Sequence, residues 1–270
     1  MLIVDDTNWQ TQIGDGKQIV VGGETRLLSA IPKPEGHNSR GYSKVFGDSF
    51  KTIPRSEWDD RVKELEAKKM QIRDHQNWPC DNQGSYPTCW AAGTMQAIST
   101  ARVMQLGIKN YIRFSAMAIA CPISGGNSGG YEGDAVEYAT KYGCVDSKLW
   151  GYTDRSPSKN RDPEIIANRA LHKTLDSYEL NGFDEFFTAM LLGFPCTVSY
   201  NWWSHVVSLA GAVVIERGSY GLLIRNNWGD SYGDKNSFGH GGYAVFREGR
   251  GTPSGGYMIY QQTPSLMLAA

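Results

Sequence analysis

Apolar positions change their spacing part-way along the chain, and the change predicts two unlike halves. From Cys89 to about residue 105, Ala91, Ala92, Met95, Ile98, Val103 and Met104 recur at helical spacing and supply one buried face. Helices are likewise expected over residues 134–142, stopped by Gly143, and over 163–175, with Asp162 as cap and proline at the first position. Another is expected over 184–192, ahead of Gly193-Phe194-Pro195. After Cys196 the pattern switches. Residues 197–200, 206–215, 220–225, 243–247 and 257–261 are short β-branched or aromatic runs separated by glycine turns, as strands are. Helices first and antiparallel strands second indicate an α+β fold with two unlike layers or lobes.

The first 52 residues fit neither pattern. They are polar and glycine-rich, with Gly22-Gly23 and Pro32-Lys33-Pro34, and read as an arm with one short strand at residues 18–21. The texture changes at Ile53-Pro54. Ser56 with Asp59 three residues on suggests a capping box, and Trp58, Val62, Leu65 and Ile72 recur near helical spacing. Residues 55–74 also carry six basic and six acidic side chains, so they predict a surface helix with a narrow apolar stripe.

Composition narrows the function classes. Hydrophobic residues make up 40% and charged ones 20%, enough apolar material for a core. Lys plus Arg total 27 against 28 Asp plus Glu, so the cationic surplus that draws nucleic acid or anionic membranes is missing, and neither is expected as a partner. Five cysteines are too few for a disulfide scaffold, and the odd count leaves at least one unpaired in a monomer. The start, Met1-Leu-Ile-Val-Asp-Asp, lacks the cationic region of a secretory signal, and the longest apolar stretch, 206–215, is too short to span a membrane. A cytoplasmic location is expected. There is no His-Glu-x-x-His run and no Cys-x-x-Cys pair, so neither metal nor cofactor is expected.

Three segments carry chemistry. Asn82-Gln83-Gly84-Ser85-Tyr86-Pro87-Thr88-Cys89-Trp90 leads a turn-rich loop into a helix, where the positive end of the macrodipole would favour a thiolate. A buried structural cysteine is the plain alternative. His205 begins a strongly apolar strand after Asn201-Trp202-Trp203-Ser204, and it is either a base or a strand-end histidine satisfied by backbone. Asn226, in Arg225-Asn226-Asn227-Trp228-Gly229, has an amide oxygen that can accept an imidazole Nδ1–H and fix the ring, with Trp228 excluding water; a simple turn is the alternative.

Taken together and in this order, the three segments resemble the papain-like cysteine peptidases, over roughly three quarters of the chain, from about Ile53 to Gln261. Gln83 stands six residues before Cys89, as in that family, and His205-Val206-Val207-Ser208 resembles its histidine strand. Asn226-Asn227-Trp228-Gly229 resembles its asparagine–tryptophan–glycine run, and Asn127-Ser128-Gly129-Gly130 the segment that contacts substrate backbone. The resemblance implies a helical N-terminal lobe (about 53–192) and an antiparallel, β-barrel-like C-terminal lobe (about 193–262) within a peptidase domain of 53–270, with the active site between the lobes. It further implies that Cys89 attacks a carbonyl carbon, that His205 moves the proton and that Asn226 orients the ring under Trp228. Gln83 and the Cys89 backbone N–H would form the oxyanion hole, and Gly129 and Gly130 would admit a substrate backbone. The reaction would be hydrolysis of peptide bonds through a thioester acyl-enzyme.

Departures from the family are equally visible. Tyr86 stands where a family cysteine is usual, its partner near Gly126 is also missing, and Cys121 has no evident mate, which suits a reducing compartment. Residues 62–78 form an insertion, and the short link from Tyr200 to His205 leaves Trp202 and Trp203 to replace a wall of the specificity pocket. The arm lacks the amphipathic helices of the family's inhibitory prodomains. Two further readings follow. One is a structural or virion-associated protein of phage or bacterial type, with residues 1–52 meeting an assembly partner; the other is an amidase acting on cell-wall peptides.

Overall fold

The computed structural model describes residues 1–262; residues 263–270, the end of the domain expected over 53–270, lie outside the described residues. In chain order the helices are α1 (Phe46–Ser49), α2 (Trp58–Lys68), α3 (Cys89–Leu106), α4 (Met117–Ser124), α5 (Glu132–Lys141), α6 (Pro163–Ala170) and α7 (Gly182–Leu191). The strands are β1 (Ile3–Val4), β2 (Gln18–Val21), β3 (Glu24–Leu27), β4 (Lys44–Val45), β5 (Thr174–Leu180), β6 (Cys196–Tyr200), β7 (His205–Glu216), β8 (Ser219–Arg225), β9 (Tyr243–Arg247) and β10 (Gly255–Gln262).

The apolar face that starts at Cys89 forms α3, which Gly107 closes at φ +83°. With α4, α5, Trp150 and Val206 it builds one apolar cluster, and the sheet with α7 and Trp58 builds another. Eight strands form one sheet in the order β1-β9-β8-β7-β6-β10-β5-β4, antiparallel through its centre and parallel only at its two edges. α3 lies against β7, β6 and β10, so the seam between helices and sheet runs beside its first turn.

Both edge strands of this sheet come from the first 52 residues. β1 pairs with β9 and buries Val4, β4 pairs with β5 beside the buried Phe46, and β2 and β3 make a separate hairpin. Residues expected to form an arm with one strand are therefore part of the packed molecule, joined to it through backbone pairing and polar side-chain contacts that leave little apolar periodicity to read.

Two helix expectations need correction. The helix expected over 163–175 starts as read, with Asp162 accepting from the Glu164 N–H, but ends at Ala170; Thr174–Leu180 is the strand β5. That strand is polar because it carries the arm: Asp176 pairs with Lys44, and Glu179 binds both Lys33 and Ser39. His172, between α6 and β5, is buried against Phe114, and burial pushes its pKa down to about 4. The helix expected over 55–74 covers only Trp58–Lys68, ends at left-handed Lys69, and has no side-chain cap at Ser56. Beyond it, Gln71 bonds the Ala212 backbone through both amide atoms, Nε2 to the carbonyl at 2.9 Å and Oε1 from the N–H at 3.2 Å, so the insertion is pinned to β7.

Trp58 anchors this region. Its ring is fully buried, stacks on Phe187 with centroids 3.9 Å apart, and lies under the Arg55 guanidinium. Trp58→Ala is expected to lower unfolding free energy by about 3–5 kcal/mol through the cavity it leaves, measurable as a shifted urea midpoint at constant slope.

Candidate active site

Cys89 is the first residue of α3 and is completely buried. Its Sγ lies 3.3 Å from the Ser29 Oγ, and the Val206 backbone N–H also faces the thiol. Burial pushes the thiol pKa up, against the lowering influence of those hydrogen bonds. The thiol is therefore neutral in this state, although a helix N-terminus favours the anion.

His205 opens β7, the neighbour of β8, and the pairing of Ser208 with Arg225 brings His205 and Asn226 to the same end of the ladder. His205 Nε2 donates to Asn226 Oδ1 at 2.8 Å. The expectation that Nδ1 would make this contact is thus reversed: Nδ1 has no hydrogen-bond partner. The ring packs against both Trp203 (centroids 4.5 Å) and Trp228 (4.6 Å), and burial pushes its pKa down to about 3 despite the Asn226 contact. Trp203 stands beside His205, with its Nε1 donating to the Gln12 carbonyl of the arm at 2.7 Å, and Trp202 stacks on it with centroids 5.8 Å apart.

Gln83 is held by its N–H to the Asn227 carbonyl, 2.9 Å. Its Nε2 donates to the Tyr86 carbonyl at 2.8 Å and to the Leu27 carbonyl of the arm at 3.3 Å. The arm continues through the cleft in extended form. Gly130 N–H donates to the Ser29 carbonyl (3.2 Å), Ile31 N–H to the Gly130 carbonyl (3.0 Å), and Ala30 N–H to the Ser204 carbonyl (2.8 Å). Ala30 and Gly130 pair in parallel. A Cβ on Gly129 would lie 2.1 Å from the Ser29 carbonyl oxygen, and one on Gly130 would collide with the Trp90 ring, so a side chain at either position clashes with the strap or the wall.

The sequence model of the papain family cysteine proteases matches residues 66–181, which hold Gln83, Cys89, Gly129 and Gly130. In that segment the chain resembles a papain-type cysteine peptidase. Among solved structures it is similar to xylellain, a cysteine protease from Xylella fastidiosa, at 17% identity and TM-score 0.60, over 86% of this chain and 95% of that one. It is also similar to digestive procathepsin L 3 of Tenebrio molitor larval midgut, at 18% identity and TM-score 0.57, over 69% of this chain and 67% of that one. For proCathepsin B S9 from Trypanosoma congolense the values are 17% and 0.53, over 85% and 81%. These likenesses establish the fold as papain-like. None of the curated proteins compared with it matches the sequence.

Several residues that hold these side chains in place were not singled out from the sequence. Asn227 Nδ2 donates to the Val206 carbonyl (3.0 Å) and the Cys89 carbonyl (3.4 Å), tying the helix to the histidine strand. The Asn226 carbonyl accepts from Cys80 Sγ (2.8 Å) and Gln96 Nε2 (3.4 Å), and Gln96 Oε1 accepts from Ser208. The doubled asparagine was the available signal for Asn227; Cys80, Gln96 and Ser29 lie too far off in sequence to give one. All five cysteines are free and buried. Among the described residues no group of three or more His, Cys, Asp or Glu is arranged to hold a metal, and no helix is long and apolar enough to cross a membrane.

Proposed function

We propose that this chain hydrolyses peptide bonds with Cys89 as nucleophile, and that the state described above is its latent form, closed by residues 27–31. The observation that carries the reading is the strap itself: a peptide already lies extended in the cleft, bonded to Gly130 and Ser204, at the Cys89 thiol. It brings a hydroxyl to the sulfur rather than a carbonyl carbon, which explains how a bound peptide can remain uncut.

With the strap displaced, His205 Nδ1 is free to take the Cys89 proton, leaving a thiolate–imidazolium pair oriented by Asn226 and screened by Trp228. The sulfur adds to a substrate carbonyl, and the oxyanion is held by Gln83 Nε2 and the Cys89 backbone N–H, each worth about 2.7–4 kcal/mol in comparable acyl transfers. His205 returns the proton to the leaving amine and the C–N bond breaks, giving a thioester. Water, deprotonated by the same ring, releases the carboxylate and restores the thiol. Gly129 and Gly130 hold the substrate backbone where the strap now runs. The assembly and cell-wall readings gain no support from particular contacts, since the arm is largely engaged within its own chain.

A thiol-directed peptidyl epoxide offered to a full-length chain with Ala30→Pro, which removes the strap's bond to Ser204, is expected to add once, at Cys89 by peptide mapping, with parallel cleavage of a peptide library. A chain so opened that neither takes the epoxide at Cys89 nor cuts any peptide would refute the proposal.

A further inference from the structure

Glu132 begins α5, two residues after Gly130, and its side chain is completely buried. It belongs to the helical lobe yet reaches the sheet: Oε1 accepts the Ser199 hydroxyl of β6 at 2.7 Å. A Cβ on Gly255 of β10 would come within 4.0 Å of the same oxygen. The carboxyl group therefore bridges the seam between the lobes, beside the segment that bonds the strap.

Its environment is unusual for an acid. Oε2 has no hydrogen-bond partner, and the charged groups that act on it, Asp134 and Glu179, are both acidic. Burial holds its carboxyl up at about 7, so near neutrality it ionises readily once a counter-charge arrives. A buried carboxylate lacking a cation is costly to a fold, and such groups concentrate where a ligand supplies the missing partner. The strap does not supply it. Opposite Gly130 it places Ala30, whose methyl packs on the helical cluster and carries neither charge nor hydrogen-bonding group.

We propose that Glu132 is a specificity determinant of this peptidase, selecting a lysine or arginine side chain on the substrate residue that pairs with Gly130. The inference rests on the cleft being the peptide-hydrolysing site argued above. A long cationic side chain entering there would meet Oε2 while Ser199 continues to hold Oε1, giving a charge-assisted bond in a dry setting. An aliphatic side chain would leave the carboxyl unpaired, and an acidic one would add a third like charge to Asp134 and Glu179. The plainer role for Glu132 is a tie between the lobes, and the two roles separate on substitution.

The test uses the full-length chain with Ala30→Pro and fluorogenic peptides in which Lys, Leu or Glu is scanned through each position before the scissile bond. At one position Lys is expected to exceed Leu in kcat/KM by about ten-fold or more, with Glu the poorest, as a buried charge pair gained or lost implies. Glu132→Gln, which keeps an oxygen for Ser199, is expected to bring the Lys-to-Leu ratio near unity. Ser199→Ala, which breaks the tie but keeps the carboxylate, is expected to preserve the ratio. The inference is overturned if no position prefers Lys, if the preference survives Glu132→Gln, or if Glu132→Gln and Ser199→Ala depress Lys and Leu peptides alike. Failure of every peptide, together with an unlabelled Cys89, would count against the hydrolytic reading on which this one stands.

Discussion

Cys89→Ser in the opened chain is expected to lower kcat/KM for peptide cleavage by about four orders of magnitude or more while leaving the thermal midpoint almost unchanged. The substitution exchanges sulfur for oxygen at a buried position whose hydrogen-bonding neighbours, Ser29 and the Val206 N–H, serve a hydroxyl equally well. Folding therefore has little reason to change. Chemistry does: a serine hydroxyl is far less acidic than a thiol, and His205 is held by one amide oxygen and packed against two indoles, with no carboxylate to strengthen it as a base. His205→Ala is expected to cost a similar factor, and the double variant little more than either alone, because nucleophile and base act as one unit. A Cys89→Ser chain that retained even a tenth of the parent rate would place the chemistry elsewhere.

The helices and strands that build the site were legible because their burial is continuous. α3 shows its face from Cys89 onward, and β6 to β8 are almost entirely buried, so their apolar runs stand out. Cys89, His205 and Asn226 fall at the ends of such elements, which is why they could be picked out, and the pairing of β7 with β8 brings two of them together. The ring orientation was not legible. Which imidazole nitrogen meets Asn226 depends on side-chain torsions, and sequence spacing carries no information about them. β5 and the arm were hidden for a shared reason: each supplies the other's polar partners, so Lys33, Ser39, Lys44, Asp176 and Glu179 read as loop residues until they are paired. Glu132 lies just ahead of the helix expected over residues 134–142 and carried no signal of its own. Only burial, and the lack of a cation near it, marks it out.

Loosening the strap is expected to raise the rate of Cys89 labelling in the full-length chain by about ten- to hundred-fold. Ala30→Pro deletes the N–H that bonds the Ser204 carbonyl and sets a ring against Gly130; a lost bond plus an unsatisfied acceptor is worth about 1–3 kcal/mol. Charged to the closed state alone, that shifts the balance by the stated factor, since about 1.4 kcal/mol is ten-fold. Residues 1–21 should stay in place, because Val4, Trp9 and Gln12 pack into the sheet side of the cleft and do not depend on the strap. Acid should act in the same direction as the substitution, and the sign follows from the protons. The closed pair holds one proton, on the thiol, and the opened ion pair also holds one, on the ring, so opening is pH-independent near neutrality. Further acid can add a second proton to the opened pair. The closed ring, faced by Trp203, Trp228 and Asn226 and influenced by no charged group, resists protonation down to about 3. Glu179 adds to the effect: burial raises its pKa, but Lys33 and Ser39 outweigh burial and hold it below its ordinary value, so protonating it costs the strap both contacts. Opening should therefore grow as pH falls from Glu179's ordinary 4.5 towards its lower value in the closed state, and amide exchange can follow it at Ala30 and Ile31, whose N–H groups bond Ser204 and Gly130 in that state. Protection of those two amides that is as high at pH 4 as at pH 7, after correction for intrinsic exchange, would mean that the cleft is not opened by acid and that latency is relieved only by cutting or displacing the strap.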